Sequence, residues 1–258
     1  MDLVSFSTAK FLTFILILFR VGGIMIFAPV FGSALIPGQA KVAIAMVVAL
    51  VLVPVVPVAA APVFTIAWLV QAAATESIIG LLLGYAASLV FIAVQLGGMQ
   101  IGQQMGTEIG SVFNPFLETQ SSLIGEFYFY FATLIYLGIG GHRMFLAALV
   151  DSFNTVPLGA SALTAASLDM VITLFGYLFA IAFAISAPAV LALFLVTVAM
   201  GFVARTVPQM NILIVGFPVR IMVGLSVMIF SLPAIGYFLA RTIGFVLRGL
   251  PALAASAR

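Results

Sequence analysis

The chain has 258 residues, of which 65% are hydrophobic and only 6% are charged. Soluble domains carry about 25% charged residues, so this composition cannot cover a surface exposed to water. Cysteine is absent, which excludes disulfides and thiolate chemistry. A net charge of +2 without a cluster of lysines or arginines argues against a nucleic-acid partner. The composition predicts a protein that is embedded in membrane lipid, in other protein subunits, or in both.

The N-terminal segment predicts a membrane span rather than a cleaved signal peptide. Lys10 precedes nine uncharged and mostly apolar residues, Phe11 to Phe19, but Arg20 then interrupts the run. No A-x-A-like cleavage site follows before the next apolar run. We therefore expect this segment to be retained as the first span.

Six hydrophobic segments predict an all-α integral membrane protein with long helices and helical hairpins. A helix needs about 20 apolar residues to cross about 30 Å of hydrocarbon, and three of these segments exceed 30 residues. Either the long helices are tilted, kinked or broken at Pro188, Pro218 and Pro233, or the molecule extends beyond the bilayer into partner subunits. The segments run at about Phe11–Phe31, Val42–Ala61, Ile66–Met99, Leu123–Ile139, Leu168–Val203 and Ile212–Leu247.

The connecting segments are short, and the two longest, at about 100–122 and 140–167, are predicted to be loops. Six crossings with a cytoplasmic N-terminus would place five basic residues inside and two outside, as the positive-inside rule favours. The cytoplasmic set would be Lys10, Arg143, Arg241, Arg248 and Arg258, and the outer set Lys41 and Arg205.

No sequence motif of an enzyme is present. The chain lacks a P-loop, a G-x-S-x-G elbow and an H-E-x-x-H zinc motif, so we expect no enzymatic activity, no cofactor and no metal site. The single histidine, His142, lies between Gly141 and Arg143 and has no partners for a triad or a metal set. These three residues predict a turn at the cytoplasmic end of a span, with a capping or subunit-contact role.

Charged residues within or at the edge of the apolar segments include Arg20, Glu76, Glu126 and Arg220. A charge at the centre of a bilayer costs at least about 2.5–3.5 kcal/mol on insertion scales, so these residues should pair, face water or lie outside the hydrocarbon. Two basic and two acidic residues can form two ion pairs, and the sequence leaves the pairing open. A proton relay is the weaker interpretation, because relays use chains of ionisable groups within the spans.

The segment "GGMQIGQQMGTEIGSVFNP", residues 97–115, places a glycine stripe opposite a polar stripe. Positions four apart in a helix are separated by about 400°, so the glycines drift slowly along one face, and residues offset by two lie almost opposite. Either the segment is an ordinary glycine-packed helix, or it forms the wall or plug of a water-filled passage. The glycines are Gly98, Gly102, Gly106 and Gly110, and the polar residues are Gln100, Gln104 and Glu108.

This segment is also a weak helix. Each glycine costs about 0.8–1 kcal/mol relative to alanine, so neighbouring elements must hold the segment in place, and a passing substrate could displace it. Asn114-Pro115 predicts its end, because proline disfavours helical geometry in the preceding residue. Met99 and Met105 could form a soft constriction, although methionine in a membrane core more often serves ordinary packing.

Together with "SSLIGEFYFYFATLIYLGIGGHRMFLAALVDSFNTVPLG" at 121–159, this segment resembles the FliR family of flagellar type III export-gate proteins and its injectisome counterparts. The similarity extends over the whole chain in length and hydrophobic layout, and the block from 97 to 159 is its specific part. Many relatives have Asp-Pro where this chain has Asn114-Pro115, and Asn-Gly-His where it has Gly140-Gly141-His142. Both differences preserve the turns, but an acidic role at 114 is not expected.

The resemblance implies a core subunit of the export gate in the bacterial cytoplasmic (inner) membrane, within the flagellar basal body. Such a subunit assembles with copies of FliP and FliQ, is contacted by FlhB and by lipid, and passes unfolded substrate proteins. It implies a FliP-like part at 1–165, with a plug loop near 98–122, and a C-terminal part at 166–258 that includes a FliQ-like hairpin. It also implies an assembly that stands partly out of the bilayer. The residues that match the family's plug loop are Gly106, Gly110, Phe113, Asn114 and Pro115. Together with the glycine and polar stripes, the predicted constriction comprises Gly98, Gly102, Met105, Gly106, Glu108, Gly110, Phe113, Asn114 and Pro115.

Two alternatives to the flagellar gate remain open at the level of sequence. The injectisome counterpart has the same layout. A small-solute transporter would need a binding site at mid-membrane and a repeat between the two halves, and no convincing repeat is visible.

Overall fold

The computed structural model describes residues 3–33, 36–57, 65–107, 122–159, 165–207 and 212–256. Within these ranges the chain is built of α-helices and contains no strand, so the predicted all-α class is confirmed. The helices are α1 (Leu3–Phe27), α2 (Gly38–Leu52), α3 (Ile66–Met105), α4 (Leu123–Gly138), α5 (Gly141–Thr155), α6 (Ala165–Thr206) and α7 (Ile212–Ser256).

Four of the described helices, α1, α3, α6 and α7, are long and apolar enough to cross a membrane. The pair α4 and α5, bent by 71° at a short break, adds a fifth candidate if it forms one broken span. Helix α2 has 15 residues, which is shorter than the length that a span needs. The described helices therefore give four or five candidate spans rather than six, so the sides assigned to the basic residues on the basis of six crossings lose their support.

Of the two explanations for the long apolar segments, a break at proline is excluded for the described helices. Helix α6 continues through Pro188, and α7 continues through Pro218 and Pro233. A proline inside a helix removes one backbone hydrogen bond, but packing against neighbouring elements can hold the helix together in apolar surroundings. At 45 residues, α7 is roughly 67 Å long, about twice the thickness of the hydrocarbon.

The predicted loop at 140–167 contains helix α5, which the apolar runs of the sequence did not reveal. Its buried residues recur every three or four positions, at Phe145, Leu149 and Phe153, as on one face of a helix. Arg143 and Asp151 are exposed, and their charges interrupt what would otherwise read as an apolar segment. The helical period, rather than an unbroken apolar run, was the informative signal here.

The chain divides into two compact units. Unit 1 comprises Met1–Leu89, Tyr136–Phe175 and Thr242–Arg258, and unit 2 comprises Val90–Ile135 and Gly176–Arg241. Long helices contribute to both units, since α3 enters unit 2 at Val90. The division at 165/166 into parts similar to other gate subunits stays a prediction.

Candidate functional site

The glycine face of α3 packs closely against neighbouring helices of unit 2. A Cβ atom on Gly98 would lie 2.8 Å from Gly125 Cα and 2.8 Å from the carbonyl oxygen of Ile124, both on α4. On Gly97 it would lie 2.8 Å from the carbonyl oxygen of Ala182 on α6. Any side chain would force these helices apart, so the glycines permit direct contact between backbones.

The opposite face of α3 carries glutamines and is left largely uncovered by the described residues. Gln103 and Gln104 are exposed, and Gln100 is half-buried with its Oε1 accepting a 2.9 Å hydrogen bond from Ser186 Oγ on α6. Gly98 and Gly102 are buried, so the predicted opposition of a glycine face and a polar face holds up to the end of the helix.

A cavity of about 610 Å³ lies along this polar face, on the side of α6. The three glutamines and Ser186 give it a polar side, and apolar residues of α6 complete the wall. We call it the glutamine cavity. Its lining comprises Gln100, Gln103, Gln104, Phe183, Ser186, Ala187, Val190, Leu191 and Phe194.

Helix α3 ends at Met105, before the end predicted at Asn114-Pro115. Gly106 has a φ of 81°, and its N–H donates to the carbonyl of Gln103 at 3.1 Å. The N–H of Thr107 donates to the carbonyl of Gly102 at 3.2 Å. These are the two hydrogen bonds of a Schellman ending, which needs a left-handed residue and therefore favours glycine.

The remaining predicted constriction residues have different outcomes. Met105 is fully buried, and a Cβ on Gly224 of α7 would lie 2.7 Å from its sulfur, so Met105 packs between helices. Glu108, Gly110, Phe113, Asn114 and Pro115 lie outside the described residues, and their role as a plug stays a prediction.

Arg20 and Glu76 form a fully buried ion pair in unit 1, with Arg20 Nε 2.5 Å from Glu76 Oε2. The guanidinium also donates from Nη1 to the carbonyl of Ser152 at 3.1 Å and from Nη2 to the carbonyl of Val156 at 3.0 Å. Phe153 lies beneath it, with 4.4 Å between Arg20 Cζ and the ring centroid. Arg20 on α1 thus binds the carboxylate on α3 and two carbonyls at the C-terminal end of α5.

The second carboxylate oxygen of this pair fixes the chain that follows α5. Glu76 Oε1 accepts a 3.0 Å hydrogen bond from the N–H of Gly159, which has a φ of 74°. Helices α1 and α3 can approach closely here because Gly80 has no side chain. A Cβ at this position would collide with the carbonyl oxygen of Arg20. We call Arg20, Glu76, Ser152, Val156 and Gly159 the Arg20 network. Its geometry is that of a structural clamp with both charges satisfied.

Glu126 and Arg220 behave differently, since both are half-buried and neither forms an ion pair with another described residue. Glu126 lies in the first turn of α4, where the helix dipole favours a negative charge. Arg220 lies on α7. Of the two ion pairs that these four residues could form, one is present among the described residues.

The turn predicted at Gly141, His142 and Arg143 lies slightly earlier in the structure. Ile139 and Gly140 form the bend between α4 and α5, and residues 141–143 begin α5. Gly140 has a φ of 72° at the N-terminal end of α5, and Gly141 packs so tightly against the ring of Tyr136 that a Cβ would overlap it. Arg143 is exposed. His142 is partly exposed, and its Nδ1 is buried without a hydrogen-bond partner among the described residues.

Sequence reasoning missed three contributors to these sites. Ser152 and Gly159 lie in a segment predicted to be a loop, and only the helical period of α5 could have placed Ser152 on its buried face. Ser186 is a single polar residue two positions before Pro188 in a long apolar run, and it carries no local signal. Its partner across the helix pair is decided by tertiary packing alone.

Comparison with known proteins identifies the family to which the sequence is similar. Residues 11–245 match the family described as bacterial export proteins, family 1. The chain is 28% identical over 239 residues to the flagellar biosynthetic protein FliR of Pectobacterium carotovorum, covering 92% of this chain and 89% of the relative. It is 31% identical over 228 residues to FliR of Bacillus subtilis, covering 87% and 88%.

A relative from another secretion system matches over a shorter region. The secretion system apparatus protein SsaT of Salmonella typhimurium is 27% identical over 159 residues, which is 61% of each chain. Because the family match spans most of the sequence, and relatives named FliR match over nearly their whole length, this chain belongs to the FliR family of bacterial export proteins.

Proposed function

We propose that this chain is a core, non-enzymatic subunit of the flagellar type III export gate, in the cytoplasmic (inner) membrane within the flagellar basal body. The family match supports an export role, and four candidate spans support a membrane location. The two FliR relatives cover 92% and 87% of the chain, against 61% for SsaT, which favours the flagellum over the injectisome.

One observation carries the proposed role in the conduit: the glutamine face of α3 is uncovered by the described residues, while its glycine face is packed. Polar side chains on an apolar helix do not belong against lipid. An unfolded substrate presents backbone N–H and C=O groups along its whole length. Carboxamides both donate and accept hydrogen bonds, so glutamines suit a conduit that passes chains regardless of their sequence.

The ending of α3 supports a plug in the residues that follow. Gly106 turns the chain out of the helix beside the glutamine face, and the resemblance to the FliR family assigns the next segment to the pore. A resting conduit must be closed, because an open one would dissipate the ion gradient. In this proposal, residues 106–115 close it and move aside for a substrate.

Partner subunits are expected to cover α6 and α7. Only 17% of the residues in the most apolar part of α7 are buried within the chain. Since α7 is roughly twice as long as the hydrocarbon is thick, lipid can cover only part of its apolar surface. Copies of FliP and FliQ, and FlhB, are the proposed partners, and unfolded flagellar proteins are the proposed substrates.

The test compares two double variants on α3. We expect Gln103→Leu with Gln104→Leu to reduce secretion of flagellar substrates several-fold, because the conduit wall loses its hydrogen-bonding groups. The matched control is Gln71→Leu with Gln95→Leu, since both residues are exposed on the same helix and neither lines the glutamine cavity. Secreted protein is measured at equal membrane levels of each variant. Equal secretion by the two double variants would contradict the proposal.

A further inference from the structure

Unit 1 contains a cavity of about 620 Å³ that is lined by residues of α1, α2 and α3. We call it the α1–α2 groove. Its lining is apolar except for Lys41 and Ser77, and the hydroxyl of Ser77 already donates to the carbonyl of Ala73 at 2.8 Å. Among the described residues that line the groove, Lys41 therefore contributes the one charge.

We propose that the α1–α2 groove binds an anionic phospholipid, with an acyl chain in the apolar slot and the headgroup phosphate on the ammonium of Lys41. A phosphate carries the charge that a lone lysine attracts. Lys41 Nζ donates a hydrogen bond of 2.9 Å to the carbonyl of Gly32. An ammonium has three donors, so the side chain is anchored and can still donate to a phosphate oxygen.

The position of Lys41 near the end of a candidate span is consistent with the depth at which lipid headgroups lie in a bilayer. The candidate span in α1 ends at Phe27, and Lys41 lies in the first turn of α2, the next helix along the chain. The end of a span lies near the boundary between hydrocarbon and water, where phosphates reside. The lining residues of α1, from Leu18 to Ile26, run from that end back into the span.

The shape of the groove favours an acyl chain over a helix of another subunit. Gly22 and Gly38 line it, and a Cβ added to either would meet nothing within 4 Å, so these glycines leave a slot in the surface. Its rim is apolar and exposed, at Phe19, Ile26 and Val42. A helix with its side chains is about 10–12 Å wide, whereas a single acyl chain bends to fill a narrow slot.

The test measures lipid binding to the full chain in its native complex, purified in detergent. Native mass spectrometry counts bound dioleoylphosphatidylglycerol or dioleoylphosphatidylcholine. We expect wild type to prefer the anionic lipid. Lys41→Gln should weaken binding of the anionic lipid about fivefold, which corresponds to about 1 kcal/mol for one lysine near a charged surface. Gly22→Trp should block the slot and reduce binding of both lipids.

Gly244→Trp is the matched control, because a Cβ there also meets nothing within 4 Å and Gly244 lies outside the groove. A phosphatidylglycerol with a diazirine in its acyl chain tests the site without mutation, since it should label Phe19, Ile26 or Val42 on illumination. The proposal is overturned if wild type binds both lipids equally, if Gly22→Trp matches Gly244→Trp, if inorganic phosphate displaces the lipid, or if the label falls elsewhere.

Discussion

At the scale of single residues, the stability of unit 1 depends on the buried ion pair in the Arg20 network. Both members of the pair are fully buried, and each guanidinium nitrogen donates to an acceptor on α3 or at the end of α5. Burying such a pair gives little net stability, but removing one partner leaves an uncompensated charge that costs about 3–5 kcal/mol. The network is therefore a sensitive point for folding rather than a site for chemistry.

We expect Arg20→Met to destabilise the protein by about 3–5 kcal/mol, because Glu76 keeps only the N–H of Gly159 as a described partner. Adding Glu76→Met should recover much of this loss, since two apolar residues replace the pair. Unfolding in detergent can be followed by the fluorescence of the single tryptophan, Trp68, whose ring lies 3.0 Å from the position of a Cβ on Gly159. Arg143→Met, at an exposed site, is the control, and an equally large effect there would contradict the argument.

At the scale of helices, glycines have two separate uses in and after α3. Gly98 allows close packing against α4, whereas Gly106 supplies the left-handed conformation that ends the helix. The first use is steric and the second is conformational, so the two positions should respond differently to substitution.

Gly98→Ala should destabilise the protein by about 1–3 kcal/mol, because the added methyl group overlaps the backbone of α4. Gly176→Ala on α6 is the control, since a Cβ there meets nothing within 4 Å. That substitution should be neutral, or stabilising by up to about 1 kcal/mol through helix propensity. Thermal unfolding of both variants measures the difference, and similar values would refute close packing at Gly98.

Gly106→Val should impair export more than Gly106→Asn, because asparagine tolerates the left-handed conformation and a β-branched residue does not. Deleting residues 106–115 should make the membrane leaky if this segment is the plug. Secretion and proton permeability are measured on the same membranes. A deletion variant whose permeability stays at the wild-type value would remove the plug from the proposal.

At the scale of the whole molecule, the exposed apolar surface of α6 and α7 indicates a subunit of an assembly. Phe230 is 84% exposed and Phe245 is 76% exposed on α7. Lipid can cover such residues only along the part of the helix that lies within the bilayer. Protein partners must cover the rest.

We expect the chain, solubilised gently from its native membrane, to run in a complex several times heavier than its own 27.1 kDa. Mass measurement of the tagged, purified species provides the test. The chain expressed without partners should aggregate, because its long apolar helices stay uncovered. A stable and monodisperse single chain would contradict both the proposal that the chain is part of a complex and the proposal that it acts in the export gate.

The amino-acid sequence alone determined the class of this protein, because 65% hydrophobic residues and long apolar runs exclude a soluble fold. It also determined the opposition of glycine and glutamine on α3, since helical geometry fixes which positions share a face. The order and spacing of the motifs between residues 97 and 159 then indicated the family. These are properties of composition and local period, which need no knowledge of distant contacts.

Only the tertiary structure decided which charges meet and where helices end. Arg20 and Glu76 are 56 positions apart, and two acidic and two basic residues left the pairing open until packing brought α1 and α3 together. Pro188 had the pattern of a break, but α6 continues through it. Helix α5 was hidden because charged residues on its exposed face interrupt the apolar pattern, and its stability comes from burying the other face within unit 1. Long-range contacts outweigh local preferences at these points, because many packed contacts together exceed the cost of one unfavourable residue.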